Sequence, residues 1–176
     1  MSELSRLQRL SNLLYWMALA LSVVLPLVVL FYAALGLQDP TALLPHLPFA
    51  VDGVDITHRQ AGLIAVTALI AVMPLVAALR AMAELFRRYG EGEVLSEANA
   101  ETILQIGRML VLVASLTVAV PTVQGLIVTW NAAQRQLAIG VDGGTLGFLM
   151  VSGLLTVIGW AMREAARVKA ENEGFV

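Results

Sequence analysis

The side chains best suited to bind a metal ion lie in the polar segment between the first two apolar stretches of the chain, residues 10–38 and 60–79. They are His46, Asp52, Asp55 and His58. Asp55 and His58 are three positions apart, and imidazole and carboxylate groups are common ligands of zinc and related divalent ions. Two histidines in a proline-rich loop are more commonly ordinary polar residues, so we expect no metal and no cofactor here.

The third apolar stretch, residues 109–134, carries the second candidate for chemistry. Helical spacing places Thr117, Pro121 and Gln124 near one another on a helix. Pro121 frees the carbonyl of Thr117 from its helical hydrogen bond, and the amide of Gln124 is costly to expose to lipid. We therefore expect Gln124 to point inward, where it forms a hydrogen bond to another helix. The alternative is a cavity that takes a ligand.

No arrangement of residues typical of catalysis is found. The apolar stretches contain no Asp, Glu, Lys, Arg or His, and the chain contains no cysteine. Ionisable groups at membrane depth mark proton relays and ion-coupled sites. Their absence argues against a proton-coupled pump and an intramembrane hydrolase, and the lack of cysteine excludes thiol nucleophiles. We expect a protein that is not an enzyme.

The elements that must position these groups are four uncharged stretches, each long enough to cross a bilayer. They cover residues 10–38, 60–79, 109–134 and 143–162. A spanning helix needs about 20 apolar residues, because the hydrocarbon core is about 30 Å thick. The sequence therefore predicts an all-α integral membrane protein, a four-transmembrane-helix bundle that forms one domain over residues 1–176. The predicted spans are about 11–36, 60–83, 103–130 and 145–165.

Positive residues at the ends of the spans predict the orientation. With both termini on one side, that side holds nine of the eleven arginine and lysine residues, and the other side holds only Arg59 and Arg135. Positive residues are retained in the cytoplasm. We therefore predict that both termini and the loop between the second and third spans are cytoplasmic. The net charge of −2 and this clustering at span ends give no indication of nucleic-acid binding.

Five arginines follow the predicted cytoplasmic face of the membrane. They are Arg80, Arg87, Arg88, Arg108 and Arg163. We expect them to contact anionic lipid headgroups, and the alternative is a docking site for a cytoplasmic protein. In the same region, Gly90 and Gly92 are predicted to end the second helix, and Ser96 is a candidate N-cap of the third.

Similar segments recur along the chain in one order. Residues 22–26 resemble residues 117–121, residues 51–53 resemble residues 141–143, and residues 81–84 resemble residues 161–164. This order favours a tandem repeat of a two-span hairpin in parallel topology, which differs from the inverted repeats of many transporters.

The outer loops and the fourth span carry two further patterns. Residues 49–56 alternate around an Asp-Gly pair, which is typical of a hairpin, so we predict a small extracytoplasmic cap of loops and strands. Gly143 and Gly147 form a pair of small residues four positions apart. We expect this pair to pack inside the bundle, and the alternative is a seam between two copies of the chain.

Three segments resemble a known family. They are LFRRYGEGEVLSEAN at residues 85–99, IGR at residues 106–108 and AENE at residues 170–173. The chain resembles an uncharacterised four-span bacterial membrane protein family, the domain of unknown function of the 2975 class. The resemblance implies the four-span fold and a bacterial inner-membrane location. Its functional hint is an association with small helix-turn-helix regulators.

Two functions of different classes are compatible with these patterns. The first is a small non-enzymatic inner-membrane protein that acts through partners, as a regulatory or sensory element or as an accessory subunit. The second is an oligomeric channel or transporter for an uncharged or lipid-like solute, built around the proline-containing helices and Gln124. The expected partners are the lipid bilayer, a protein at the cytoplasmic face and further copies of the chain.

Overall fold

A computed structural model describes residues 3–47, 54–93, 96–131 and 139–173. Within these ranges the chain forms four long helices and one short 3₁₀ helix. The long helices are α1 (Glu3–Gln38), α2 (His58–Gly90), α3 (Glu97–Val128) and α4 (Gly143–Glu173). The 3₁₀ helix, η1 (Pro40–His46), directly follows α1. The predicted all-α fold is confirmed.

Each long helix contains a segment of sufficient length and hydropathy to cross a membrane. These segments are Gln8–Gln38, His58–Gly90, Glu97–Val128 and Gly143–Val168. Three predicted spans fall within these segments, and the third, 103–130, extends two residues past Val128. The chain is a multi-pass membrane protein. The helices also continue past the predicted spans, because the residues there are helix formers. For example, α2 continues to Gly90, and α3 begins directly after its cap residue Ser96.

Local hydrogen bonds account for where the helices begin and end. Ser96 is the N-cap of α3, as predicted, and its side chain accepts a hydrogen bond from the Asn99 backbone N–H. Asp142 precedes α4, and its carboxylate accepts from the Thr145 backbone N–H at 2.6 Å. The pKa of the Asp142 carboxyl is lowered below its ordinary value, and this hydrogen bond is the main cause. After α2, Gly92 has a φ of 89°, a conformation that favours glycine.

The helices pack as neighbours in chain order. α1 packs on α2, α2 on α3 and α3 on α4, whereas no Cα atoms of the pairs α1 and α3, α1 and α4, or α2 and α4 come within 8 Å in the described ranges. Successive helices are antiparallel. We call the end that holds the starts of α1 and α3 and the ends of α2 and α4 the basic end, and the opposite end the loop end.

Two apolar cores join α2 to its neighbours. The core at the loop end contains Leu43, Ile56, Ala61, Ile64, Ile127 and Val128. The core at the basic end contains Ala81, Leu85, Ile103 and Ile106. Most large apolar side chains of α1 and α4 remain exposed. In a membrane these side chains contact lipid, which is as apolar as they are.

A close helix contact joins α3 to α4 through two glycines. A Cβ added to Gly159 would lie 2.7 Å from the Leu104 Cα, and one added to Gly107 would lie 2.7 Å from the Thr156 backbone nitrogen. The predicted packing role of Gly143 and Gly147 is wrong within this chain. A Cβ on either glycine would meet nothing within 4 Å, because that face of α4 is turned away from α3.

The predicted cap of strands is also wrong for the part that the structure describes. Residues 40–46 form η1, and residues 54–57 and 139–142 form neither helix nor strand before α2 and α4 begin. The N-cap of η1 is Asp39, whose carboxylate accepts from the Thr41 backbone N–H and hydroxyl. Pro40 starts the helix, because proline has no N–H for a strand and its φ suits a first turn. The remaining residues of the predicted hairpin, 49–53, and residues 132–138 lie outside the described ranges.

The tandem repeat stays a prediction. Both α1 and α3 contain a proline within the helix, at Pro26 and Pro121. Pro121 lies closer to the end of α3 than Pro26 does to the end of α1. The chain-order packing of two antiparallel pairs is what such a repeat would produce.

Candidate functional site

The amide of Gln60 connects the start of α2 to the end of α3. Its Nε2 donates to the backbone carbonyls of Ile127 at 2.8 Å and Val128 at 3.3 Å. Its Oε1 accepts from the Thr57 backbone N–H at 2.8 Å and from the Thr57 hydroxyl at 2.9 Å. Thr57 also accepts from the Gln60 N–H, which completes a capping box. One buried side chain therefore satisfies groups at two helix ends.

The amide of Gln124 connects α3 to the middle of α2. Gln124 is buried, with 6 % of its surface exposed, and its Nε2 donates to the Thr67 hydroxyl at 3.2 Å. The Thr67 hydroxyl in turn donates to the Ile64 carbonyl at 2.8 Å. The structure thus places Gln124 inward and bonded to a facing hydroxyl, as the cost of an unpaired amide in hydrocarbon requires.

Gln124 also lines a cavity of about 170 Å³ at the loop end. α1 contributes Tyr32, η1 contributes His46, and α2 contributes Ala65 and Ala68. The rings of Tyr32 and His46 lie 4.4 Å apart between their centroids. The cavity therefore has an apolar wall with three polar groups.

The structure does not place the other two residues of the predicted site beside Gln124 in this cavity. The lining residues include neither Thr117 nor Pro121. Thr117 is exposed, and its hydroxyl donates to the carbonyl of Ala114 in its own helix at 2.7 Å. A threonine can satisfy itself in this way within a helix, so it needs no inward position.

The four metal-ligand candidates do not form a site in the part of the chain that the structure describes. No group of three or more His, Cys, Asp or Glu residues able to hold a metal ion occurs there. His46 packs against Tyr32, whereas Asp55 and His58 are exposed around the start of α2. Asp52 lies outside the described ranges.

The arginines of the basic end form a network along α2. The Glu84 carboxylate accepts from Arg87, with an Nη2 to Oε1 distance of 2.8 Å, and from Arg88, with an Nε to Oε1 distance of 2.9 Å. Arg87 also donates from Nη1 to Glu91 at 2.6 Å. Arg88 reaches α3, with 3.4 Å between its Nη1 and the Thr102 hydroxyl. Exposed pairs of this kind add about 0–1 kcal/mol each, so their main effect is to hold the side chains in place.

The other predicted arginines differ in their partners. Arg163 on α4 pairs with Glu101 on α3, with an Nη1 to Oε2 distance of 3.1 Å. Arg80 and Arg108 are exposed, and neither pairs with a carboxylate among the described residues. These guanidinium groups are therefore available to a lipid headgroup or to another protein.

A groove between α1 and α2 borders this network. It has a volume of about 480 Å³, and its walls carry Gln8 and Asn12 from α1 and Phe86, Arg87 and Glu91 from α2. The mixture of amide, aromatic and charged groups is typical of a surface that binds polar segments rather than lipid tails.

Two features of the site were not predicted. Gln60 lies at the edge of the second span beside His58 and Arg59, so it resembles an ordinary interfacial residue. The signal that identifies it is the capping-box spacing of Thr57 and Gln60. The aromatic wall that Tyr32 and His46 contribute to the cavity depends on how η1 folds back on α1, and no local pattern reports that.

Comparison with known proteins identifies the family. No curated protein and no solved structure matches the chain. A family model described as "Protein of unknown function (DUF2975)" matches residues 23–174. The match covers the second part of α1, from residue 23 onward, and all of α2, α3 and α4, in agreement with the resemblance seen in the sequence. The chain therefore belongs to the DUF2975 family of proteins of unknown function.

Proposed function

We propose that this protein is a small, non-enzymatic membrane protein that acts by binding a protein partner at its basic end, as a regulatory or sensory element or as an accessory subunit. The observation that carries the proposal is the charged network of Glu84, Arg87, Arg88 and Glu91 beside the α1–α2 groove. An ordered array of both signs of charge favours recognition of a complementary protein surface, since it selects partners by their charge pattern.

The packing around this network supports the proposal. The start of α3 is closely packed, with Asn99, Ala100 and Leu104 fully or almost fully buried. Asn99 donates from Nδ2 to the carbonyl of Glu93 at 2.6 Å, which connects the loop after α2 to α3. A surface held in this way loses little conformational entropy when a partner binds.

The alternative is an oligomeric channel or transporter for an uncharged or lipid-like solute. The cavity that reaches Gln124 is the observation that favours it. Because the helices pack in chain order, a continuous pathway would have to lie between copies of the chain. This function therefore needs oligomers, whereas partner binding at the basic end does not.

The proposed location is the bacterial inner membrane, with both termini in the cytoplasm. The distribution of positive residues supports it. A reporter fused after Val176 and one inserted within residues 41–49 are expected to report opposite sides of the membrane, with the first in the cytoplasm. A C-terminus found outside would move the basic end away from cytoplasmic partners and contradict the proposed function.

Photo-crosslinking from defined positions tests the partner proposal. A photoreactive amino acid placed at Arg108 or Arg163 in living cells is expected to capture a cytoplasmic protein. The same amino acid at Arg59, which is also exposed but lies at the loop end, is the matched control. The first candidate to look for is a small helix-turn-helix regulator, the class that the family resemblance implies.

The outcomes of that experiment separate the two interpretations of the arginines. One defined protein adduct at Arg108 and Arg163 that is absent at Arg59 supports the proposal. Adducts with lipid alone would favour headgroup anchoring, and the proposed function would then be wrong. Reversal of charge by Arg87→Glu is expected to reduce the protein adduct, since it breaks both ion pairs of that residue.

A further inference from the structure

The carbonyl oxygen of Gln124 has an unused capacity to accept a hydrogen bond. The orientation of the amide follows from Thr67, whose hydroxyl already donates its proton to Ile64 and can only accept from Gln124. The amide NH₂ must therefore face Thr67. The Oε1 atom accepts no hydrogen bond from any of the described residues. Gln124 is nevertheless buried, with 6 % of its surface exposed, and it lines the cavity.

The cavity restricts what can reach this oxygen. Its volume of about 170 Å³ compares with about 30 Å³ per liquid water, and an apolar cavity of about 150 Å³ in another protein holds benzene. Its lining residues include no Asp, Glu, Lys or Arg among those described, and its wall is mainly aliphatic with the ring of Tyr32. A charged ligand would lose its hydration without a counter-ion. The fit is to a neutral group of one ring or a few carbons.

We propose that this cavity binds a small neutral hydroxyl compound, or the hydroxyl headgroup of a lipid, whose O–H donates to Gln124 Oε1 while its apolar body lies between α1 and α2. Ala65 and Ala68 leave the space for that body, and Tyr32 and His46 line it at the loop end. The proposal does not depend on the partner at the basic end. Each can fail without the other.

The three tyrosines of the chain provide the measurement. Tyr32 lines the cavity, Tyr15 lines the groove at the basic end, and Tyr89 lies at the end of α2. The full chain, labelled with 3-fluorotyrosine in lipid nanodiscs, would give one ¹⁹F resonance for each, assigned by Tyr→Phe variants. Phenol is the probe, and toluene is its control because it has the same shape without the donor. Tyr15 and Tyr89 report non-specific partition into the lipid.

Phenol is expected to shift the Tyr32 resonance saturably and to leave the other two in place. At equal free concentration toluene is expected to bind about 5- to 10-fold more weakly, the factor that corresponds to one net hydrogen bond. Gln124→Met keeps the length of the side chain and is expected to abolish the preference for phenol. Ala68→Leu fills the cavity and is expected to remove the shift, whereas Ala20→Leu on the exposed side of α1 is expected to preserve it.

A monoacylglycerol added to the discs distinguishes the sources of the ligand. Displacement of phenol would identify a lipid headgroup, and no displacement would identify a free small molecule. Equal affinity for phenol and toluene, equal shifts of all three tyrosines, or an unmoved Tyr32 resonance would each overturn the proposal. The comparison of phenol with toluene uses the unaltered protein, so it stays decisive if Gln124→Met does not fold.

Discussion

Replacement of Gly159 by alanine is expected to separate α4 from α3. The new methyl group would lie 2.7 Å from both the Cα and the backbone nitrogen of Leu104, a distance at which a backbone must move. Leu104 is itself fully buried, so it cannot move without disturbing the packing around it. Insertion of one methyl group into a contact of this kind costs about 1–3 kcal/mol.

The absence of cysteine in the chain allows a direct measurement of that separation. Ser152 is fully buried on α4, so a Ser152→Cys variant carries one protected thiol. Its modification rate tracks the open population when reclosing is fast. Gly159→Ala is expected to raise that rate by about 5- to 150-fold, the factor that corresponds to its free-energy cost.

Gly153→Ala is the matched control. It lies on the same helix, but its added Cβ would meet nothing within 4 Å. Alanine is a better helix former than glycine by up to about 1 kcal/mol, so this variant is expected to leave the modification rate unchanged or to lower it. Equal effects of the two substitutions would contradict the close α3–α4 contact.

The type and approximate bounds of the four long helices could be predicted because hydropathy and capping are local properties. A charge-free run of the required length has one stable form in lipid, a helix that satisfies its own backbone. Ser96 before α3, and Gly90 and Gly92 at the end of α2, also act through neighbouring residues in the chain. Such signals depend only on residues that are close in the sequence, so they can be recognised without the structure.

Which glycines pack against a neighbouring helix could not be predicted, because that depends on tertiary contacts. α4 contains five glycines, and the spacing of Gly143 and Gly147 resembles a packing motif as much as that of any other pair. Which of them meets a neighbour depends on the rotation of α4 about its axis. The fit of Gly159 to Leu104 and of Gly107 to Thr156 fixes that rotation, and both are tertiary contacts.

The same difference between local properties and tertiary contacts explains which parts of the candidate site could be predicted. Gln124 was predicted to point inward because its amide is costly to expose to lipid, and the structure places it so. Thr117 was grouped with it by helical spacing alone, although a hydroxyl can bond to the preceding turn. The cavity beside Gln124 depends on η1, which has an Asp cap and contains two prolines, and no helix was predicted at these residues.

Replacement of Gln60 by leucine is expected to have the largest effect on stability. Leucine would leave the carbonyls of Ile127 and Val128 without their side-chain donor and would remove half of the capping box that starts α2. Loss of a cap costs about 1 kcal/mol, and loss of a donor to buried acceptors costs about 1–3 kcal/mol. The expected destabilisation is therefore about 2–4 kcal/mol.

Unfolding in mixed micelles by a titration with sodium dodecyl sulfate measures this change. Gln105→Leu is the matched control, because Gln105 is exposed on α3 and its replacement removes an amide without breaking a contact between helices. Thr57→Val in turn removes the cap hydroxyl but keeps the Gln60 amide that reaches α3. If the α2–α3 connection dominates, Thr57→Val is expected to cost clearly less than Gln60→Leu. Equal costs would assign the effect to the cap, and the amide would then have no role in holding the two helix ends together.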